Sequence, residues 1–468
     1  MNALLSLNVS AWLSLVLLGG TGQAHVNVNV TVPGSPPPPS LEQPPEPEEP
    51  TAPEEPTEPP TEPEESTATY RFPAEWEPQK SLWIAWPTYD STQDLSREEV
   101  YLEIVAATAG HIELDVVVAT EDEVDYVEDL LDTESIPRTH VRLRVIPSVM
   151  DVWLRDTGPM FLQRTLDGVT SAATSDFGFN SWGYEGYTSI YPWDSDVLDN
   201  DIATTLGVTD IRSSPMISEG GAIESNGKGT MFITEAVALQ RNPGMTKAQI
   251  EAVYEERLGM KKIIWLAEGV PEDDLTFWRS NGLPSDVYTT LTVGGHTDEF
   301  VRFIDEDTVL LAEVTPDEAE DDPIAAEARS RLEAVRAVID AATTYEGHDI
   351  DIIRVPAATL LYKTMGPGDS TYDYITSLAF DDSSTIATDA SITTVLATSY
   401  MNYVIANDVI LMPAYWKTGR PTSILDKDDE MEAALEAAFP TRTVVRINPE
   451  ALNAGGGGLH CVTQQQPY

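Results

Sequence analysis

The chain has a single cysteine, Cys461, at the end of Asn453-Ala454-Gly455-Gly456-Gly457-Gly458-Leu459-His460-Cys461. Glycines ahead of a thiol let the backbone approach a ligand closely and leave N–H groups facing it, which suits a nucleophile. The same run also suits a flexible tail. A thiolate nucleophile needs a proton-transfer partner, and six histidines are on offer: His25, His111, His140, His296, His348 and His460. His296 stands in Gly294-Gly295-His296-Thr297-Asp298-Glu299-Phe300, where an extended backbone would put His296 and Asp298 on one face. An imidazole and a carboxylate then address the same ligand, although a His-x-Asp pair alone fits a satisfied surface histidine equally well. Asp151-Val152-Trp153-Leu154-Arg155-Asp156-Thr157-Gly158-Pro159 sets Asp156 near Trp153, a carboxylate and an aromatic wall for a planar cation, or else an internal Arg155–Asp156 turn. Glu219-Gly220-Gly221 leads into a hairpin turned by Asn226-Gly227.

Other chemistries fit less well. One cysteine and six scattered histidines give no paired spacing of the zinc kind, so no metal site is expected. A phosphate-binding loop fails because five residues separate Gly221 from Gly227 and no Ser or Thr follows Lys228. A papain-like arrangement lacks its local cysteine signature, and His precedes Cys. Spacing alone leaves two readings of Cys461, a cysteine enzyme or an inert buried thiol.

Acidic side chains number 78 against 27 basic, a formal charge of −51. Such a balance argues against nucleic acid and anionic membrane as partners and favours cations. A solvated acidic surface and guidance of a cationic ligand both account for it. The 41% apolar content is ordinary for a chain that buries a core.

The elements that must position these residues alternate between strand and helix. Leu82 to Trp86 reads as a buried strand, Arg97 to Ala109 as a helix and Ile112 to Ala119 as a strand. Thr120 and Glu123 form a capping-box pattern opening another helix, and Val141 to Ile146 follows as a strand. The unit recurs through Met231–Ile233, a helix capped by Thr246 and Gln249 and stopped by Gly259, and Lys262–Leu266. A third copy runs through Thr308–Val314, Ile324–Ile339 and Ile350–Val355, and a fourth through Val404–Met412, the helix around Met431 and Leu435, and Thr443–Ile447. The fold class is α/β.

Ahead of this lies different material. Residues 1–24 hold an uncharged apolar run ending in small residues, the pattern of a signal peptide, with an uncleaved membrane anchor as the alternative. A secreted or otherwise extracytoplasmic location follows. Residues 25–68 are rich in Pro and Glu and cannot bury enough apolar surface to fold, so they read as a disordered linker. Residues 69–468 read as the folded domain, and with one cysteine no disulfide within the chain supports it.

With these segments in view, the chain resembles the agmatine deiminase and Porphyromonas-type peptidylarginine deiminase family. The resemblance rests on Phe72-Pro73-Ala74-Glu75-Trp76-Glu77-Pro78, Trp83 to Pro87, Trp153 to Pro159, Glu219-Gly220-Gly221, Gly295 to Phe300, Ser399 to Tyr403 and Gly455 to Gln465. It implies a pentein fold, a five-bladed α/β propeller of pseudo-repeats in a single catalytic domain. It further implies Cys461 as nucleophile, His296 as general acid and base, Asp156 and Asp298 as the carboxylates gripping a guanidinium, and Glu219 orienting His296. Trp153, Asn402 and Gly295 would line the substrate site, and no metal or redox cofactor is required. The expected partner is a cationic guanidinium small molecule or an arginine-containing peptide. Agmatine deiminases tend to carry an acid four positions before the catalytic histidine, where this chain has Thr292. That departure, with export, favours peptidylarginine over agmatine; a catalytically silent binding protein is the third reading.

Overall fold

The computed structural model describes residues 67–87, 96–187, 197–279, 283–387 and 389–468. The signal segment at 1–24 and, apart from Thr67 and Ala68, the linker at 25–68 lie outside the described residues.

Five sheets share one plan: an antiparallel pair of strands, then a helix that returns the chain to a parallel third strand. The third, fourth and fifth units follow chain order. Ile223–Ser225 pairs antiparallel with Thr230–Thr234, which lies parallel to Lys262–Leu266. Val301–Phe303, Thr308–Glu313 and Asp351–Pro356 repeat the arrangement, as do Val404–Ile405, Val409–Pro413 and Thr443–Ile447. The second unit, unread in the sequence, is Met160–Leu166, Val169–Gly178 and Ile211–Ile217 with the helix Leu198–Thr205. Its hairpin turns at Asp167-Gly168, both at positive φ, 52° and 76°, a backbone that Asp and Gly adopt readily.

The first unit is closed by the far end of the chain. Thr463–Pro467 pairs antiparallel with Gln79–Ala85, which lies parallel to Leu114–Val118 across the helix Arg97–Thr108. A further strand, Val141–Val145, follows the helix Glu121–Thr133. A small extra sheet joins Val287–Thr289, Ile392–Val395 and Tyr362–Met365.

The connecting helices bury one face each. Pro323–Asp340 is capped by Asp322, which accepts from Ile324 N and Ala325 N, and turns Ile324, Ala325, Ala328, Leu332, Val335 and Ile339 inward at helical spacing. Truncating Leu332 to alanine in that interface would cost about 2–5 kcal/mol. Lys247–Leu258 has the predicted reciprocal cap between Thr246 and Gln249, and Gly259 ends it at φ 77°. At the helix Glu121–Thr133 the cap is one-sided: Thr120 accepts from Glu123 N, but the Glu123 carboxylate turns back to Ala119 N at 2.7 Å. No helix among the described residues is long and apolar enough to cross a membrane.

One regularity of the five units positions everything that follows. The segment just before each unit's leading strand carries a chemically distinctive side chain: Asp156 before Met160, Glu219 before Ile223, His296 and Asp298 before Val301, Asn402 before Val404, and Cys461 before Thr463. The repeat therefore delivers functional groups from five places in the chain to one place in the fold.

Candidate active site

Cys461 is buried, and its Sγ lies 3.2 Å from Asn402 Nδ2, 3.7 Å from Glu299 Oε1 and 3.8 Å from Asp298 Oδ2. The glycine run ahead of it is packed wall, not tail. A Cβ on Gly457 would stand 2.7 Å from the Trp153 ring and 3.0 Å from Sγ, and Gly456, at φ 106°, lies against the Leu291 carbonyl. Asn402 holds this loop from the other side: its Oδ1 accepts from His460 N at 2.8 Å, and its Nδ2 also donates to Glu299 Oε1 at 2.9 Å.

His296 and Asp298 do not lie on an extended strand. Thr297–Glu299 is a single 3-10 turn, and the approach to it is fixed by Asp273, whose carboxylate accepts from Val293 N, Gly295 N and His296 N at 3.1, 2.8 and 2.9 Å. Gly294 and Gly295 adopt φ of 93° and 105°, and a Cβ on Gly295 would stand 2.8 Å from Gly269 N. Gly295 thus serves close backbone packing and, like His296 and Asp298, is not among the residues lining the cavity described below.

The remaining groups converge on Gly221. A Cβ there would come within 2.7 Å of His296 Nδ1, 3.0 Å of Asp298 Oδ2 and 3.1 Å of Asp156 Oδ1, so only glycine fits. Asp156 accepts from Gly221 N at 2.9 Å and from Trp182 Nε1 at 2.8 Å. Its neighbour Arg155 does not turn back onto it but reaches Glu75 and Gln464, both at 2.9 Å. Glu219 is buried and ion-paired to Arg241 at 2.7 Å, with its other oxygen 3.7 Å from His296 Nε2. Both His296 nitrogens, Asp298 Oδ1 and Glu219 Oε2 are buried without a hydrogen-bond partner. Buried polar atoms rarely stay unpaired, and a cluster of them on converging side chains marks the seat of a polar ligand.

The charges are set by these contacts. Burial disfavours a charged ring at His296, but Asp156, Glu219 and Asp298 outweigh it and carry the imidazole up to about 9. Burial likewise opposes ionisation of Glu219, yet Arg241 and His296 hold it down at about 2. Burial against the hydrogen bond and charge of His460, with His296 adding, leaves Asp298 below the usual carboxylate range. Burial raises Asp156, with Glu219 and Asp298 adding to it. The Cys461 thiol is pushed well up, first by burial and then by Asp298, Glu299 and Asp156. The free site therefore pairs a neutral thiol with an imidazolium at neutral pH, and lacks one positive charge.

A cavity of about 330 Å³ leads to this centre. Trp86, Trp153, Trp182, Tyr184 and Tyr374 give it aromatic walls, Asp156 and Cys461 lie at its inner end, and Glu123, Asp151 and Arg97 are its other charged lining. Thr292 is not part of that lining; its hydroxyl donates to the Asp274 carbonyl at 2.5 Å. Asp298, Glu299 and Cys461 each offer a donor atom within 4.8 Å of the others, but His460 and Asn402 already occupy Asp298 Oδ2 and Glu299 Oε1, which suits a broad organic cation better than a compact ion.

Residues 71–467 match the family model described as Porphyromonas-type peptidyl-arginine deiminase. The chain belongs to that family. Its relatives include agmatine deiminases of Pseudomonas aeruginosa and Stutzerimonas stutzeri, each 30% identical over 85% of this chain and 95% of the relative. Among solved structures, agmatine deiminase of Enterococcus faecalis superposes with a TM-score of 0.64 at 23% identity, covering 85% of this chain and 96% of the other. A substrate-bound C. jejuni agmatine deiminase gives 0.62 at 19%, covering 86% and 97%. The five units are thus those of the pentein fold. Family members are hydrolases of carbon–nitrogen bonds in linear amidines, and this chain is a guanidine deiminase of that kind.

Several groups that build the site carried no role in the sequence reading: Glu75, Trp182, Arg241, Asp273, Glu299, Arg302 and His460. Three had a visible signal, since Glu75 lies inside the Phe72–Pro78 segment, Glu299 lies inside Gly294–Phe300 and His460 adjoins the only cysteine. The others are brought in by long-range contacts that leave no local pattern.

Proposed function

We propose that this chain hydrolyses agmatine to its ureido product and ammonia. The observation that carries the reading is the acidic lining beyond the guanidinium seat: Glu123 and Asp151 line the same small cavity as Asp156 and Cys461. A second cation some carbons away from the guanidinium meets favourable charge there, from Glu123 and from Asp151, which burial lifts to about 7 and which a nearby cation would help to ionise. At about 330 Å³ the cavity is at the low end for small-molecule sites and encloses a compact ligand more readily than a peptide backbone. The relatives at 30% identity, themselves agmatine deiminases, support it too. Peptidylarginine, the substrate favoured by the sequence, has less support on both counts. Thr292 leaves the usual acid position empty, and in this reading Glu123 and Asp151 take over its electrostatic work.

The chemistry follows from the charges. A guanidinium seated between Asp156 and Asp298 supplies the missing positive charge and stabilises the Cys461 thiolate, whose proton leaves to water. Sulfur adds to the central carbon, and the His296 imidazolium protonates one nitrogen of the tetrahedral adduct, which departs as ammonia. A cationic S-linked amidine and a neutral His296 remain. His296 then takes a proton from water as its oxygen adds to the carbon. The second adduct expels the sulfur, its hydroxyl proton passes to Cys461, and the urea is released with His296 protonated again. Glu219, held ionised by Arg241, keeps the ring oriented and able to carry its charge.

One observation favours a second substrate. Arg97 lines the cavity 5.6 Å from the Trp153 ring centre, and a guanidinium there would suit the carboxylate of free arginine. Purified protein offered agmatine, arginine and a blocked arginine peptide separates the readings through the ureido product formed from each. Agmatine is expected to give the highest kcat/KM; turnover of the peptide with none of agmatine would reverse the assignment. The export reading of residues 1–24 adds that the enzyme works outside the cytoplasm, which N-terminal sequencing of protein recovered from culture medium tests.

A further inference from the structure

Behind the catalytic groups lies a second constellation that the reaction scheme leaves unused. His460 is buried, with Nδ1 2.7 Å from Asp298 Oδ2 and Nε2 2.8 Å from Glu75 Oε1. Both ring nitrogens face carboxylate oxygens within hydrogen-bond distance. Glu75 is itself a meeting point. Arg155 reaches it at 2.9 Å and Gln465 at 3.0 Å, and Arg302, also bonded to Glu224 at 2.9 Å and to the Tyr403 carbonyl at 2.8 Å, ion-pairs with it. These groups come from segments in or beside all five units, so Glu75 is tied to the whole ring.

We propose that His460 is a positioning residue for Asp298. Through the bond from its Nδ1 it fixes the rotamer of the carboxylate that grips the guanidinium. The chain Glu75–His460–Asp298 runs from the shared hub to the ligand seat in two short hydrogen bonds. Asp298 Oδ2 has His460 as its one normal-length bond, and Oδ1 has no partner. Among the described residues no other normal-length hydrogen bond holds the Asp298 carboxylate in its observed orientation, with Oδ2 3.8 Å from Cys461 Sγ. This inference rests on the reading in which Asp298 contacts the substrate.

The two nitrogens can be deleted separately. In His460→Asn the amide nitrogen stands where Nδ1 stood and keeps the bond to Asp298 while losing Glu75. In His460→Gln it stands near Nε2 and keeps Glu75 while losing Asp298. Asp298→Asn serves as the reference. Steady-state kinetics with agmatine, arginine and the blocked peptide, together with thermal unfolding, should show His460→Asn within about fivefold of the parent kcat/KM and His460→Gln reduced by about 30- to 100-fold, with KM raised. A merely structural role lowers the fraction of folded enzyme and leaves KM where it was. Equal kcat/KM in the two histidine variants would overturn the proposal. Parent-like activity of Asp298→Asn on every substrate would instead overturn the underlying role of Asp298. Should His460→Gln fail to fold, His460→Asn decides alone: near-parental kinetics support the positioning role, and a loss matching Asp298→Asn removes it.

Discussion

Replacing Asp156 by asparagine removes one negative charge from the guanidinium seat while nearly preserving its shape. In the parent, one oxygen accepts from Gly221 N at 2.9 Å and the other from Trp182 Nε1 at 2.8 Å. An amide can satisfy only one of those donors, so the variant gives up one neutral hydrogen bond, about 1–3 kcal/mol of stability. Set against a typical total of about 5–15 kcal/mol, the fold survives. The larger effect falls on the substrate. A hydrogen bond to a charged group contributes about 1.5–3 kcal/mol, which predicts a loss of about 10- to 150-fold in kcat/KM. Asp156 is also the foremost of the carboxylates that raise His296, so its removal lowers the imidazole from about 9. A group with a raised pKa acts as an acid below that value, and the alkaline fall of kcat/KM in the variant therefore moves to lower pH. The assay is ureido product against pH, paired with urea unfolding followed by tryptophan fluorescence. Kinetics within threefold of the parent, or an unfolding loss large enough to explain all missing activity, would refute the clamp.

Three further outcomes are expected. Because the thiol of the free enzyme is pushed well above its ordinary value, inactivation by iodoacetamide should be slow at pH 7 and accelerate continuously above pH 9; a rate flat across that range would contradict the neutral thiol. Glu123→Gln should cut kcat/KM for agmatine by about tenfold yet leave butylguanidine, which lacks the distant ammonium, within twofold; equal losses would remove Glu123 from substrate reading. Gly221→Ala puts a methyl group 2.7 Å from His296 Nδ1, so kcat should drop by at least about 100-fold with about 1–3 kcal/mol of destabilisation, measured by turnover and by unfolding midpoint.

Much of the scaffold was readable because its elements obey local rules. Leu114–Val118, Lys262–Leu266 and Val409–Pro413 are apolar runs that a buried parallel strand demands, and Thr246, Gln249 and Gly259 mark both ends of one helix by their side-chain chemistry alone. The second unit escaped because Thr170 to Ser175 mixes exposed and buried positions without a clean run, although Asp167-Gly168 announced its hairpin. Asp156, His296, Asp298 and Cys461 were legible as residues of chemical promise, but their convergence was implied only by the family resemblance and not by local pattern. His296 and Asp298 meet the site through a 3-10 turn held by Asp273, and alternation along a strand was the wrong reason for pairing them. Arg241 and Arg302 could not be read at all, since a charge buried by a partner more than twenty positions away looks in sequence like any surface charge.

The pairing of Thr463–Pro467 with Gln79–Ala85 fixes when this protein can act. During translation Gln79–Ala85 emerges with one edge unsatisfied, and the thiol and the strand that covers that edge are added only long afterwards. A ribosome-held intermediate therefore has neither a closed circle nor a reactive sulfur, and any premature stop before residue 461 releases a product that cannot modify guanidines in its surroundings. The strand that closes the first sheet is also what seats Cys461, which stands just ahead of it.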